Sequence, residues 1–135
     1  MANTSPIWSK EGNTSWATLT TANTATDGTG TVETIFTADA TNGGKVEKII
    51  AEASGTNTAS VLRIFINNGT DPSTATNNTL FRQVGLPATT LTQLAGQAPV
   101  IVHLNFALPA GYKINVTIGT TVSAGWAVTA VGGNY

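Results

Sequence analysis

The stretch "PVIVHLNFALPAGYKINVTIG", residues 99–119, carries the clearest signal for the fold. Apolar side chains occupy every second position in both of its halves: Val100, Val102, Leu104 and Phe106, then Tyr112, Ile114, Val116 and Ile118. This period of two predicts two β-strands, each with one face buried. Between them "LPAGY" predicts a tight turn, because Pro109 fixes φ and Gly111 permits a positive φ. We therefore predict that the two strands are neighbours.

Six further segments have strand character and turn signals at their ends: "WATLTTA" (16–22), "TVETIFTA" (31–38), "KVEKIIAEA" (45–53), "SVLRIFIN" (60–67), "TLFRQVGL" (79–86) and "GWAVTAVG" (125–132). The Lys and Glu residues of 45–53 would also suit a short helix, but the flanking "NGG" and "SGTN" favour a strand. About eight strands predict an all-β, single-domain antiparallel β-sandwich. Among sandwiches we favour a jelly roll. Strict alternation would place Phe36 opposite Ile35, and Ile64 opposite Phe65.

Composition excludes several classes of function. Only 10% of the 135 residues are charged, against about 25% in an average protein. The six basic residues are scattered and the net charge is −1, which argues against nucleic-acid binding and against a polybasic membrane contact. The first ten residues lack the apolar region of a signal peptide, and no apolar run is long enough to span a bilayer. So little charge favours a protein that lives in an assembly or outside a cell.

The chain offers few groups for chemistry. It has no cysteine, and its one histidine, His103, is flanked by apolar residues in a predicted strand. The seven acidic residues are not closely paired in the sequence, and a calcium loop would need several oxygen ligands at short spacing. We therefore predict no catalytic residue, no metal site and no cofactor, and a protein that is not an enzyme.

The N-terminal segment is the best candidate for contact with a partner. We predict an arm over residues 1–15 and a sandwich domain over 16–135. Ile7 and Trp8 either anchor the arm on a partner or fold back onto the domain, and Trp16 is expected to plug one end of the sandwich. Trp126 alternates with Val128 and is expected in the core. The candidate partner contacts are Ile7, Trp8, Trp16 and Tyr135, of which the last either packs on a neighbouring subunit or frays.

A long loop, whose only charged residue is Asp71, lies within "INNGTDPSTATNNTLF" (66–81) and separates two of the predicted strands. Such loops are often functional, because a rigid scaffold can hold a contact surface on them. This one lacks aromatic and basic residues other than the flanking Phe81. We favour a solvent-facing tip over a finger that reaches a neighbouring molecule.

Several segments resemble small proteins encoded near the head genes of tailed bacteriophages: "MANTSPI" (1–7), "FTADATNGGKVEKI" (36–49), "TNTASVLRIFINNG" (56–69), "LNFALPAGYKI" (104–114) and "AGWAVTAVGGNY" (124–135). The similarity spans nearly the whole chain and is densest at 36–69 and 105–135. In size and composition the chain is similar to the β-sandwich cement (decoration) proteins of phage capsids. The resemblance implies a homotrimer that binds the major capsid protein on the outer surface of the virion, after synthesis in the host cytoplasm. It brings no active-site residue.

An alternative function is a tail-fibre or receptor-binding module that recognises a glycan on the host surface. Asn- and Thr-rich loops beside aromatic residues motivate it, since sugars stack on rings and bond to amides. On that hypothesis Trp8 and Trp126 would contact the sugar. No aromatic residue lies within the long loops, which favours the decoration protein.

Overall fold

The computed structural model describes residues 9–135, which form eight β-strands and one short 3₁₀ turn at Ala75–Asn77. The strands are β1 (Glu11–Leu19), β2 (Glu33–Thr37), β3 (Gly44–Ala53), β4 (Ser60–Asn67), β5 (Asn78–Leu86), β6 (Val100–Leu108), β7 (Lys113–Ile118) and β8 (Trp126–Asn134). The prediction of an all-β chain is confirmed, and residues 45–53 are a strand. β1 begins at Glu11, so residues 11–15, which the sequence assigned to the arm, belong to a strand.

The strands form two antiparallel four-stranded sheets, in the orders β1-β8-β3-β6 and β2-β7-β4-β5. The first strand along the chain pairs with the last, the second with the seventh, the third with the sixth and the fourth with the fifth. A chain paired in this way is a long antiparallel ribbon rolled up on itself. This is the arrangement of a jelly roll, and the predicted β-sandwich is confirmed.

The turn at "LPAGY" forms as predicted, but it does not join neighbouring strands. Tyr112 N–H donates to Pro109 O at 3.1 Å, and Gly111 has a φ of 77°. However, β6 lies in the first sheet and β7 in the second, so the turn crosses between sheets. Both strands alternate because each covers the same core from opposite sides. The prediction that they are neighbours is therefore wrong.

The core lies between the two sheets and is apolar. Its largest fully buried side chains are Trp126, Phe36, Ile35, Ile49, Leu62, Ile64, Leu86, Ile114, Ile118, Val46 and Val116. The expected core position of Trp126 is confirmed. The pairing of β2 with β7 shifts between Thr34 and Phe36, and both Ile35 and Phe36 are buried. Strict alternation is therefore broken there by an irregularity that a period of two does not encode.

Candidate contact surfaces

Trp16 does not plug an end of the sandwich. It lies in the edge strand β1, and 70% of its surface is exposed. In this strand the small side chains of Ser15 and Ala17 are more buried, and Leu19 enters the core. Trp16 is one position out of phase with them and therefore points to the outer face. The predicted plug is wrong, while the prediction of a partner contact at Trp16 remains a prediction.

The outer face of the first sheet has an apolar row across its strands. Trp16 lies opposite Thr129, Thr129 opposite Ile50, and Ile50 opposite Ile101, so one residue from each of the four strands contributes. Ile101 is 45% exposed and Ile50 is half-buried. We call this line of four residues the Trp16 row. It lies open on the surface formed by residues 9–135.

The outer face of the second sheet, in contrast, is covered by residues 20–32. Asn23 N–H donates to Ile118 O at 2.8 Å, and Asn78 Nδ2 donates to Asp27 O at 3.2 Å, so this segment is bonded to β7 and to β5. Arg63 Nη1 also donates to Asn23 O. Residues on that outer face are consequently buried: Phe65, Asn67, Asn115 and Thr117. The covering segment explains why Phe65 is buried although it alternates with the core residue Ile64.

Three loops meet at one end of the sandwich, residues 54–59, 87–99 and 119–125, and none of them contains a charged residue. We call this surface the uncharged end. The buried side chain of Asn57 holds two of the loops together, since its Nδ2 donates to Gly125 O at 2.9 Å. Its Oδ1 accepts from the N–H groups of Ala124 and Gly125, each at 2.9 Å. Thr89 adds the third loop: its backbone pairs with Asn57 in both directions, and its hydroxyl donates to Gly55 O.

Two leucines project from the uncharged end. Leu94 is 96% exposed and Leu91 is 58% exposed. Their loop is held in place, because Leu91 N–H donates to Thr56 Oγ1 and Gln97 Nε2 donates to Thr90 O. Sequence reasoning missed these residues, since "PATTLTQLAGQAP" has the Pro, Gly and Thr content of an ordinary loop. The available signal was two leucines in a segment without a strand pattern.

The long loop that follows β4 lies at the opposite end and is bonded mainly to itself. Asn67 Nδ2 donates to Asn78 Oδ1 at 2.8 Å, closing its base, and Asn77 Nδ2 donates to Asp71 O at 2.9 Å. Residues 68–71 and 73–76 are exposed. Hydrogen bonds from asparagine side chains, and not packed apolar residues, therefore hold this loop in its conformation. Within the single chain its tip faces solvent.

The remaining predicted contact residues lie near the chain termini. Ile7 and Trp8 lie outside the described residues. Tyr135 is half-buried, and its N–H donates to Gly43 O at 3.2 Å, so it is bonded to the turn before β3. Its predicted contact with a neighbouring subunit remains a prediction.

The titratable groups lie in turns and on strand surfaces. His103 is exposed on β6, opposite Lys48 of β3. The pKa of Asp27 is lowered by hydrogen bonds from Thr29, that of Asp39 by the N–H groups of Asn42 and Thr41, and that of Asp71 by Ser73. These bonds belong to the turns that the aspartates themselves start. Within residues 9–135, no three His, Cys, Asp or Glu side chains converge to hold a metal ion.

The glycan hypothesis loses one of its aromatic residues, because Trp126 is fully buried and cannot stack on a sugar. Of the helical structure that residues 9–135 contain, nothing is long and apolar enough to cross a membrane.

The chain matches no protein-family model, no curated protein and no solved structure.

Proposed function

We propose that the protein is a non-enzymatic decoration (cement) protein, which binds the outer surface of a phage capsid and stabilises the shell. The observation that carries this proposal is the uncharged end. It presents two exposed leucines, Leu91 and Leu94, on loops that Asn57 and Thr89 hold in place. A rigid, uncharged surface with apolar projections suits attachment to another protein. It gives no support for binding a charged ligand.

Such a surface binds by burying apolar groups and by forming neutral hydrogen bonds. Full burial of a leucine side chain contributes roughly 1.5–3 kcal/mol. Neither contribution depends on charge, so the attachment would survive high ionic strength. The resemblance to cement proteins implies the partner, the major capsid protein, and a homotrimer. In a trimer three modest contacts would act together, which strengthens attachment through avidity.

The location is tested by immunogold labelling of intact phage particles with an antibody against this chain. We expect regular label over the head. Label confined to the tail would overturn the proposal and favour the receptor-binding module. Particles without any label would overturn both.

The contact surface is tested by adding purified variants to heads that lack the protein and measuring occupancy. We expect Leu94→Asp to lower the affinity at least about tenfold, because a carboxylate would replace an apolar contact. Thr76→Asp is the matched control, since Thr76 is exposed in the loop at the opposite end. Wild-type affinity should change little between low and half-molar salt. Equal loss in both variants, or no loss in Leu94→Asp, would exclude the uncharged end as the contact.

A further inference from the structure

We propose that the outer face of the first sheet binds the same face of a second copy of this chain, with the two copies related by a twofold axis along the Trp16 row. This inference concerns a different surface from the uncharged end and does not depend on the proposed function. Its first basis is that no segment within residues 9–135 covers this face, whereas residues 20–32 cover the second sheet. Among residues 9–135, one sheet face is therefore covered and the other is open.

The charges on this face are arranged for self-association. On β3, Lys48 lies two residues before Ile50 and Glu52 lies two residues after it. These three side chains are half-buried and point to the outer face of the sheet. Ile49 and Ala51, which alternate with them, are fully buried in the core. The Trp16 row therefore passes between Lys48 on one side and Glu52 on the other, and Glu47 is exposed next to Lys48 at the irregularity of β3. Lys48 and Glu52 are equally spaced from the row.

A twofold axis along the row makes this arrangement self-complementary. The rotation reverses the strand direction of the second copy and leaves each strand over its own equivalent. Lys48 then faces Glu52 of the second copy, Glu52 faces its Lys48, and Ile50 meets Ile50. An isologous contact requires such a pattern, since the same patch must serve both sides. Any other axis in the plane of the sheet leaves these charges unmatched or opposed to their like.

Glu47 opposes this pairing, because the rotation brings it near Glu52 of the second copy. The uncharged groups on the face are compatible with it. Thr14 and Thr18 flank Trp16 on β1, and Val131 and Ala127 flank Thr129 on β8. The rotation therefore places Thr14 over Thr18 of the second copy, and Val131 over its Ala127. On β6, His103 lies opposite Lys48, and the rotation brings it over the uncharged start of the partner's strand. Lys45, farther along β3, falls beyond the end of the opposing strand.

The contact should be weak in isolation. Four strands at about 4.8 Å spacing and five residues at about 3.4 Å per residue give a patch of roughly 300 Å² per copy. The pair would bury about 600 Å² in total, which is below the roughly 1,200 Å² of stable specific interfaces. We therefore expect dissociation constants in the micromolar to millimolar range, which a lattice of bound copies would strengthen through avidity.

The test is a charge-swap experiment by sedimentation equilibrium at low ionic strength, from micromolar to millimolar concentration. By symmetry each single reversal, Lys48→Glu or Glu52→Lys, creates two like-charge contacts per pair. We expect each to raise the dissociation constant at least about tenfold, a change of about 1.4 kcal/mol. The double variant Lys48→Glu/Glu52→Lys restores opposite charges and should return to within about threefold of the wild type. If the copies also form trimers through another surface, the same doubling takes trimers to hexamers.

Two controls keep the result interpretable. Glu33→Lys reverses an exposed charge in the second sheet and should leave association unchanged. Trp16→Ala should weaken association without changing the charges. Concentration-dependent amide shifts of the wild type, confined to the face around Ile50 and Thr129, test the surface without any variant. The proposal is overturned if the wild type does not associate, if the double variant is no better than the singles, or if the shifts lie elsewhere.

Discussion

At the scale of single residues, buried polar side chains differ in whether they have partners. Asn57 uses its donor and its acceptor on the backbone of the loop before β8. Asn115 is also buried, and its Oδ1 accepts a hydrogen bond from Thr34 Oγ1 at 2.7 Å. Thr117, two residues along the same strand, has a buried hydroxyl with no partner within residues 9–135. A buried polar group without a partner costs about 1–3 kcal/mol.

We expect Thr117→Val to stabilise the protein by about 1 kcal/mol. Valine has nearly the same shape as threonine, so the change replaces a hydroxyl without a partner by a methyl group and leaves the packing intact. Valine also favours a strand. The free energy of unfolding from urea denaturation measures the effect.

The matched control is Thr34→Val, the same chemical change at a hydroxyl that has a partner. It should destabilise the protein by about 1–2 kcal/mol, because Asn115 Oδ1 would lose its donor while buried. Opposite signs at the two positions would support the assignment. Destabilisation by Thr117→Val would show that the hydroxyl is bonded in solution, for example by an ordered water.

At the scale of elements, alternation predicted which segments form strands, because a buried face imposes a period of two. It did not predict where the period breaks. The pairing of β3 with β6 shifts between Val46 and Lys48, and in β6 the residue Asn105 has a φ of 51°. Such irregularities depend on the partner strand, which local sequence does not reveal. For the same reason the sequence could not show that residues 20–32 cover one sheet. Trp16 was placed wrongly because the small residues Ser15 and Ala17 occupy the inward positions of β1.

The turn between β2 and β3 makes the free energy of unfolding depend on pH in the acid range. Hydrogen bonds from Asn42 and Thr41 hold the pKa of Asp39 below its ordinary value. Stability from this turn is therefore fully present above the pKa of the unfolded chain, about 3.9, and is lost as pH falls through the lower folded value. We expect Asp39→Asn to reduce the loss of stability at low pH. The asparagine side-chain oxygen still accepts the hydrogen bonds, and it is not protonated in this range. Melting temperatures between pH 2 and pH 7, roughly the span over which carboxylates titrate, measure this.

The aspartate of the loop after β4 provides the comparison. Ser73 lowers the pKa of Asp71 in the same direction, so Asp71→Asn should remove a separate part of the acid dependence. The two effects should add, since the two carboxylates belong to separate turns. An acid profile that neither substitution changes would show that other groups control unfolding at low pH.

At the scale of the whole molecule, the rolled ribbon makes the first strand depend on the last. Every residue of β1 from Glu11 to Leu19 has a partner in β8. Asn13 also connects the sheets, because its Nδ2 donates both to Thr37 O at 2.9 Å and to Asn134 Oδ1 at 3.0 Å. Composition and turn spacing predicted a sandwich with a separate arm. They could not show that part of the arm completes a sheet, because that depends on pairing across more than a hundred residues.

Two truncations separate the arm from the fold. We expect removal of residues 1–8 to leave the melting temperature nearly unchanged, because every described strand remains. Removal of residues 1–16 should lower it by more than about 10 °C, since it deletes most of β1, exposes the edge of β8 and breaks the Asn13 bridge. Loss of shell binding by the longer truncation would then reflect unfolding. Only a stable protein lacking residues 1–8 can test whether Ile7 and Trp8 bind the capsid, and equal stability of both truncations would contradict the role assigned to β1.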